Sequence, residues 1–262
     1  MTFENRTERR GFLTRTLLGF GALGLGLGGC EKIGDTAWMR GVLHGVEGLT
    51  LWAQRQFLSP HALAPEYAEG DLSPVFKANG TQSPDDAAFQ ALAAGGFTDY
   101  RLEIDGLVER PARLSLADLR ARPAREQITR HDCVEGWSCI GKWKGARLGE
   151  LLKDVGLRPA ARYVVFHCFD ALEASSDGSG VYYESIDLTD AFHPQTILAY
   201  EMNGATLPLA HGAPLRLRVE RQLGYKMAKY IRRIEVVDSF ADLGLGKGGF
   251  WEDRGYEWYA GI

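Results

Sequence analysis

Residues 130–145, RHDCVEGWSCIGKWKG, place two cysteines six residues apart among Trp137, Trp143, His131 and Glu135. A disulfide, a zinc site, a nucleophile and a ligand to a softer metal all use thiols in such a setting, and the flanking chain has to choose. Directly downstream, ARLGELLKDVGL (146–157) has the spacing of a short amphipathic helix closed by Gly156, and RYVVFHCF (162–169) reads as a buried strand. Upstream, YRLEIDGLVERPARLSLADLRARP (100–123) alternates through Leu102, Ile104 and Leu107 and turns at Asp105-Gly106. It then leads through Ser115 into a capped helix ending near Pro123. Past Pro208, PLRLRVE and YIRRIEVVD are two β-type stretches flanking a Gly-Tyr-Lys turn at 224–226. Short helices set into a mostly β body predict an α+β domain.

Further out, residues 58–84 are rich in Pro, Ser, Gly and Asp and read as extended loop. Before them, residues 36–57 put Trp38, Val42, Val46, Leu49, Trp52 and Phe57 near helical spacing, an amphipathic helix weakened by Gly41, Gly45 and Gly48. The N-terminus, RRGFLTRTLLGFGALGLGLGGC, has the pattern of an export signal, its apolar run from Thr16 to Gly29 well short of the ~20 residues a spanning helix needs. Paired Arg9 and Arg10 beside Phe12-Leu13 resemble a twin-arginine signal, and Leu27-Gly28-Gly29-Cys30 resembles a lipoprotein cleavage box. The alternative is an ordinary cleaved signal with a chance cysteine. The expected organisation is a signal peptide over 1–29, a helix and linker over 30–72 and a domain over 73–262, exported to the periplasm and anchored to the membrane through a lipid on Cys30.

Removing residues 1–29 takes four of the 30 basic and two of the 34 acidic residues, leaving 26 and 32 and a formal charge of −6. That balance excludes a surface that tracks a nucleic-acid backbone. Of the four cysteines, Cys133, Cys139 and Cys168 remain beside Cys30. An odd number cannot all pair internally, so at least one is free, intermolecular or bound to something. No close CxxC or HxxxH spacing supports zinc. His131, His167, His193 and His211 could each partner a nucleophilic cysteine, which makes that reading unspecific.

Three motifs in order, HDCVEGWSCIGKWKG, LPLAHGAPLRLRVERQLGYKMAKYIRRIEV and GGFWEDRGYEWYAGI, resemble the molybdopterin-binding domain of the sulfite oxidase superfamily in its bacterial exported branch, from about Ser73 to the C-terminus. The resemblance implies that the Cys133 thiolate binds a single molybdenum beside the dithiolene of one pterin. A soft thiolate suits such a metal. It implies pterin contacts at His211 and Arg216 and contacts to the phosphate end at Met227, Ala228 and Lys229. Lys226 and Arg218 supply further cations around Gly224, Arg218 without backing from the family and with a solvated strand charge as its alternative. SPVFKANGTQSP (73–84) resembles the loop that covers the pterin, with Phe76, Asn79 and Gly80 as contacts. Glu135 and His131 are the nearest groups to move protons or hold the cysteine loop. Trp137 and Trp143 would shield the site.

The implied activity is a two-electron step, commonly oxygen-atom transfer, on a small substrate, with electrons exchanged with a membrane or soluble periplasmic cytochrome, since no haem-binding CxxCH is present. True sulfite oxidases carry an arginine-containing segment after their cysteine, where this chain has Val134-Glu135-Gly136. Periplasmic methionine-sulfoxide reductases, close relatives in the superfamily, carry an NNFYEFG-like loop where this chain has FKANG. Two rival readings are a non-catalytic binding or assembly lipoprotein on the same fold and a thiol enzyme built on Cys133 and Cys139. Whether Cys139 and Cys168 form a disulfide stays open. The aromatic tail, GKGGFWEDRGYEWYAGI (246–262), either completes the core or walls a substrate entrance or docking face.

Overall fold

Local signals set most element ends in the computed structural model, which describes residues 37–57, 59, 61–175 and 178–262. The expected signal peptide and the Cys30 anchor lie outside the described residues. Helix α1 (Ala37–Phe57) is the amphipathic segment expected over 36–57. The chain divides within it, after Trp52, and the unit from Ala53 onward carries the features that follow. Among the described residues no helix is long and apolar enough to cross a membrane.

Residues 61–86 run mostly without regular structure, as their composition predicts, with one 3-10 turn at Glu69–Asp71. Helix α2 (Ala87–Ala94), which the sequence reading did not mark, starts where the Asp86 carboxylate accepts from the Phe89 N–H at 2.8 Å. Strands β1 (Leu102–Gly106) and β2 (Ala112–Leu114) are the expected pair. Ser115 then caps helix α3 (Leu116–Arg120) in a reciprocal box: its hydroxyl accepts from the Asp118 N–H, and the Asp118 carboxylate accepts from the Ser115 N–H. The helix stops before Pro123, whose ring disfavours helical backbone in the residue ahead of it.

The cysteine stretch forms the turn between β3 (Ala124–Asp132) and β4 (Ser138–Arg147). Helix α4 (Leu148–Val155) follows, closed by Gly156 at φ 69°. The remaining elements are β5 (Tyr163–Ala171), β6 (Val181–Asp187), α5 (Leu188–Ala191), β7 (Ile197–Met202), β8 (Ala205–Thr206), β9 (Arg216–Arg218) and β10 (Ile231–Val237).

They build two five-stranded sheets. One has the order β2-β1-β10-β5-β6, with β1 and β10 parallel and the other pairs antiparallel. The other runs β3-β4-β7-β8, with β9 also on β7. The two β-type stretches around Gly-Tyr-Lys therefore belong to different sheets, β9 beside β7 and β10 between β1 and β5. The chain between them crosses from one sheet to the other.

Leu148, Leu151, Leu152 and Val155 of α4 share one core with Ile104, Phe166, Ile234 and Leu198, drawn from both sheets. Burying each such side chain contributes about 1.5–3 kcal/mol, enough in sum to hold the sheets in fixed relation. The inward face of β3 is different: its buried residues are Gln127, Thr129 and His131. Polar groups there need internal partners, and these come from Arg218 of β9 and from Glu220 and the Gln195 carbonyl outside it.

Candidate functional site

Cys133 sits where β3 ends. Its N–H donates to the Trp137 carbonyl at 3.0 Å, and the Gly136 N–H donates back to the Cys133 carbonyl at 3.0 Å. Gly136 has φ 83°, a left-handed conformation that a side chain would strain. This tight turn presents the half-buried thiol to a cavity of 320 Å³, which Val134 and Glu135 also line. Burial pushes the Cys133 thiol up from its ordinary range. Cys139 and Cys168 lie on different sheets as buried free thiols, 3.8 Å from the Val75 carbonyl and 4.0 Å from that of Phe166. Among the described residues no cysteine is paired.

The cavity brings Asn79, Gly80, Cys133, Glu135, Arg216, Met227 and Lys229 together, seven of the residues singled out in the sequence. Arg216 is 2 % exposed and lies 4.9 Å over the Trp143 ring; one of its N–H groups donates to the His211 carbonyl at 2.9 Å, and its Nε is buried without a partner. Burial and then the Arg218 charge bring its pKa down to about 9. Lys229 donates to the backbone carbonyls of Asn79 at 2.7 Å, Thr81 and Ala210, tying the covering loop to the cavity. Burial and then Arg216 hold Lys229 down at about 7. His211, lowered to about 4 mainly by burial and then by Arg216 and Lys229, is neutral. Phe76 packs edge-on to Trp143 and His211, with ring centroids 5.3 and 5.6 Å away.

Other expected site residues stand elsewhere. Lys226 does not line the cavity: it is fully buried between the carboxylates of Glu184 and Glu252. Ala228 is buried, its carbonyl accepting from the Leu217 N–H at 2.8 Å. His131 is 1 % exposed behind the cysteine turn, its Nδ1 3.0 Å from an Arg218 N–H and 3.2 Å from the Met227 sulfur, with Nε2 buried and unpartnered. Burial, followed by Arg218, drives its pKa well below the ordinary value. Glu135 is at the rim, accepting from the Trp137 indole at 2.8 Å and from Lys77 at 3.4 Å, contacts that hold it ionised. Trp137 is half-buried there, whereas Trp143 lies fully buried beneath both arginines.

Arg218 corrects an expectation. It is not a solvated strand charge: it is fully buried, donating from Nε and Nη2 to the two oxygens of Glu220 at 2.9 and 2.6 Å and stacking 4.4 Å over Trp143. Glu220 also accepts from Gln127 at 2.8 Å. These are the partners that the polar inner face of β3 requires.

Asp170, Thr81, Tyr182, Tyr225, Trp251 and Tyr256 also line the cavity and were not singled out as site residues. Asp170, 3 % exposed, has one carboxylate oxygen without a partner, and burial pushes its pKa to about 6. A carboxyl directly following the buried run VVFHCF was the available signal. In the tail, Phe250 is core, as one of the two readings expects, and Trp251 and Tyr256 line the cavity.

A molybdopterin carries phosphate and ring N–H and C=O groups together with a soft metal. The donor set fits such a group: one thiol at the wall, a buried guanidinium with a spare N–H, a partly buried ammonium and a carboxylate with a spare oxygen, in a volume of ordinary ligand-site size.

The sequence pattern of the family described as oxidoreductase molybdopterin binding domain matches residues 91–242. Over 253 residues the chain is 39% identical to a protein of Azospira oryzae named, provisionally, as protein-methionine-sulfoxide reductase subunit YedZ1, covering 97% of this chain and 87% of that one. It is 41% identical over 147 residues to the protein-methionine-sulfoxide reductase catalytic subunit MsrP of Gluconobacter oxydans, covering 53% of this chain and 47% of that one. The chain thus spans about half the length of that catalytic subunit. Among solved structures, the sulfane dehydrogenase SoxCD from Paracoccus pantotrophus superposes with a TM-score of 0.47 at 24% identity, over 54% of this chain and 39% of that one.

Proposed function

Because the chain belongs to the oxidoreductase molybdopterin-binding domain family, we propose that this molybdenum-dependent oxidoreductase reduces a sulfoxide, protein-bound methionine sulfoxide being the substrate that the relatives' names indicate. In the balanced step the sulfur–oxygen bond of the sulfoxide breaks, sulfur gains two electrons to become a thioether, and the oxygen leaves as water with two protons. The electrons come from a separate periplasmic or membrane cytochrome, in keeping with relatives named as subunits. The reading carries with it export by the twin-arginine route and a lipid anchor at Cys30.

The observation that carries the proposal is one cavity holding a half-buried free thiol, Cys133, a buried Arg216 and a partly buried Lys229, both cations without carboxylate partners within ion-pair distance among the described residues. When bound, the cofactor supplies the two-electron chemistry at its metal. Cys133 would ligate the metal. Arg216 and Lys229 would hold the anionic end, and the backbone of Asn79 and Thr81, fastened by Lys229, would close over it. Asp170 would accept ring N–H groups. The aromatic side of the cavity would exclude water from the reacting oxygen. Glu135, ionised at the rim, adds no cation for the sulfite dianion there and leaves a neutral sulfoxide unhindered.

Molybdenum analysis of the exported protein, combined with viologen-driven reduction of sulfoxides, tests this. Near-stoichiometric metal and sulfoxide turnover are expected, with Cys133→Ser folded but at least about a hundredfold slower, since a hard oxygen replaces a soft sulfur donor. Metal-free protein from a molybdenum-replete host, or full activity in Cys133→Ser, overturns the proposal.

A further inference from the structure

The cavity has two chemically distinct walls. Arg216 and Lys229 mark one. The other is built from rings: Tyr225 meets Tyr256 at 5.2 Å between centroids, Tyr256 meets Trp251 at 5.2 Å, and Trp251 meets Phe250 at 5.3 Å. Phe250 in turn stacks on Tyr182 at 5.7 Å. Trp251 and Tyr256 project from one closed turn, in which the N–H groups of Arg254 and Tyr256 both donate to the Trp251 carbonyl, at 2.9 and 3.0 Å.

That turn is fastened from behind. Glu252, next to Trp251, is buried against Lys226, next to Tyr225, and Lys226 also holds Glu184 of β6. Each half of the ion pair is thus adjacent in sequence to a ring of the wall. Breaking a buried pair strands a charge and is costly, so the fastening does not fray as a chain end ordinarily does.

We propose that the turn Trp251–Tyr256, clamped by the Lys226–Glu252 pair, is the specificity-determining wall of the substrate cavity, and that it favours sulfoxides bearing an extended apolar group on sulfur over compact ones. The proposal rests on the sulfoxide-reductase reading for its substrate. The physical ground is that ring surface rewards apolar area removed from water and offers no cation to an oxyanion.

The test compares methyl p-tolyl sulfoxide with dimethyl sulfoxide in molybdenum-loaded protein driven by reduced viologen, each reduced to its thioether and water. Losing about 50 Å² of ring contact corresponds to roughly tenfold in affinity. In Trp251→Leu, kcat/KM for the aryl substrate should fall about tenfold more than for dimethyl sulfoxide, with the difference in KM, and Tyr256→Phe should keep the wild-type preference. Tyr256 is 37 % exposed, so Tyr256→Leu gives the same comparison should Trp251→Leu fail to fold. Binding is read without turnover through the tryptophan fluorescence change caused by methyl p-tolyl sulfone, which should be lost in Trp251→Phe. An unchanged substrate ratio in the leucine variants overturns the wall. If wild-type protein reduces neither sulfoxide, the substrate reading fails, and the wall is then decided by the sulfone: binding that persists unaltered in Tyr256→Leu, which keeps the Trp251 indole, overturns it too.

Discussion

Two sets of buried charge share the stretch from Arg216 to Lys229, and the protein treats them in opposite ways. Arg218 and Lys226 are each enclosed by carboxylates, Glu220 for the first and Glu184 with Glu252 for the second. Arg216, equally removed from water, and Lys229, partly buried, form no ion pair among the described residues, and both are held below their ordinary pKa mainly by burial. A charge buried beside its counter-ion serves the fold. One buried without it lowers the stability of the empty protein, and that deficit marks a place made for an anionic ligand.

The sharpest way to break this comparison is to exchange the effects of its two arginines. Arg218→Ala should strand Glu220 and unsupport His131, costing about 3–5 kcal/mol of stability, or roughly 10 °C in melting temperature whether or not cofactor is present. An Arg218→Ala protein that melts like wild type would put Arg218 on the ligand side. Arg216→Ala should do the reverse. The cofactor-free protein should melt at or above the wild-type temperature, while molybdenum affinity falls by about ten- to a hundredfold from the loss of one charge-assisted contact of roughly 1.5–3 kcal/mol. Unchanged metal content in purified Arg216→Ala would remove the anion from that wall.

A smaller effect should appear as pH dependence in the cofactor-free protein. Asp170, raised to about 6 mainly by burial, holds its proton more tightly folded than unfolded, so its contribution is present below about pH 4 and is lost as the pH rises through about 6. Lys229, lowered to about 7, works the other way: its contribution is present above about pH 10 and is lost as the pH falls through about 7. The pair therefore places a shallow stability minimum between these values. Melting curves from pH 4 to 9 should show it, and Asp170→Asn should flatten the acidic limb; an identical acidic limb in that variant would assign the titration elsewhere. The smallest change expected is from Cys139→Ser, under about 1 kcal/mol beyond the loss of its packing, because no disulfide is broken. A loss of activity equal to that of Cys133→Ser would revive a dithiol mechanism.

The elements legible in the sequence were those whose partners are local. The Ser115 box, the Gly156 closure, the VVF run of β5 and the turn at Gly224 each announce themselves within a few residues, because caps, turns and apolar runs are satisfied at short range. The β3–β4 pairing was less visible, since Gln127, Thr129 and His131 on the inner face of β3 give no apolar alternation and become interpretable only with Arg218 and Glu220 beside them. The motif resemblance named Cys133, Arg216 and Lys229, and the fold brings all three to one cavity.

Sequence by itself determined the α+β class, the family and the order of the motifs. Tertiary structure decided which buried charges find a counter-ion. Arg216 and Arg218 have the same chemistry, the same strand and the same Trp143 beneath them. Only the side chains reached by chain reversal, Glu220 and His131 for one and the open cavity for the other, separate an arginine held inside the fold from one that faces the cavity. Desolvation is imposed by distant parts of the chain, and no local pattern encodes it.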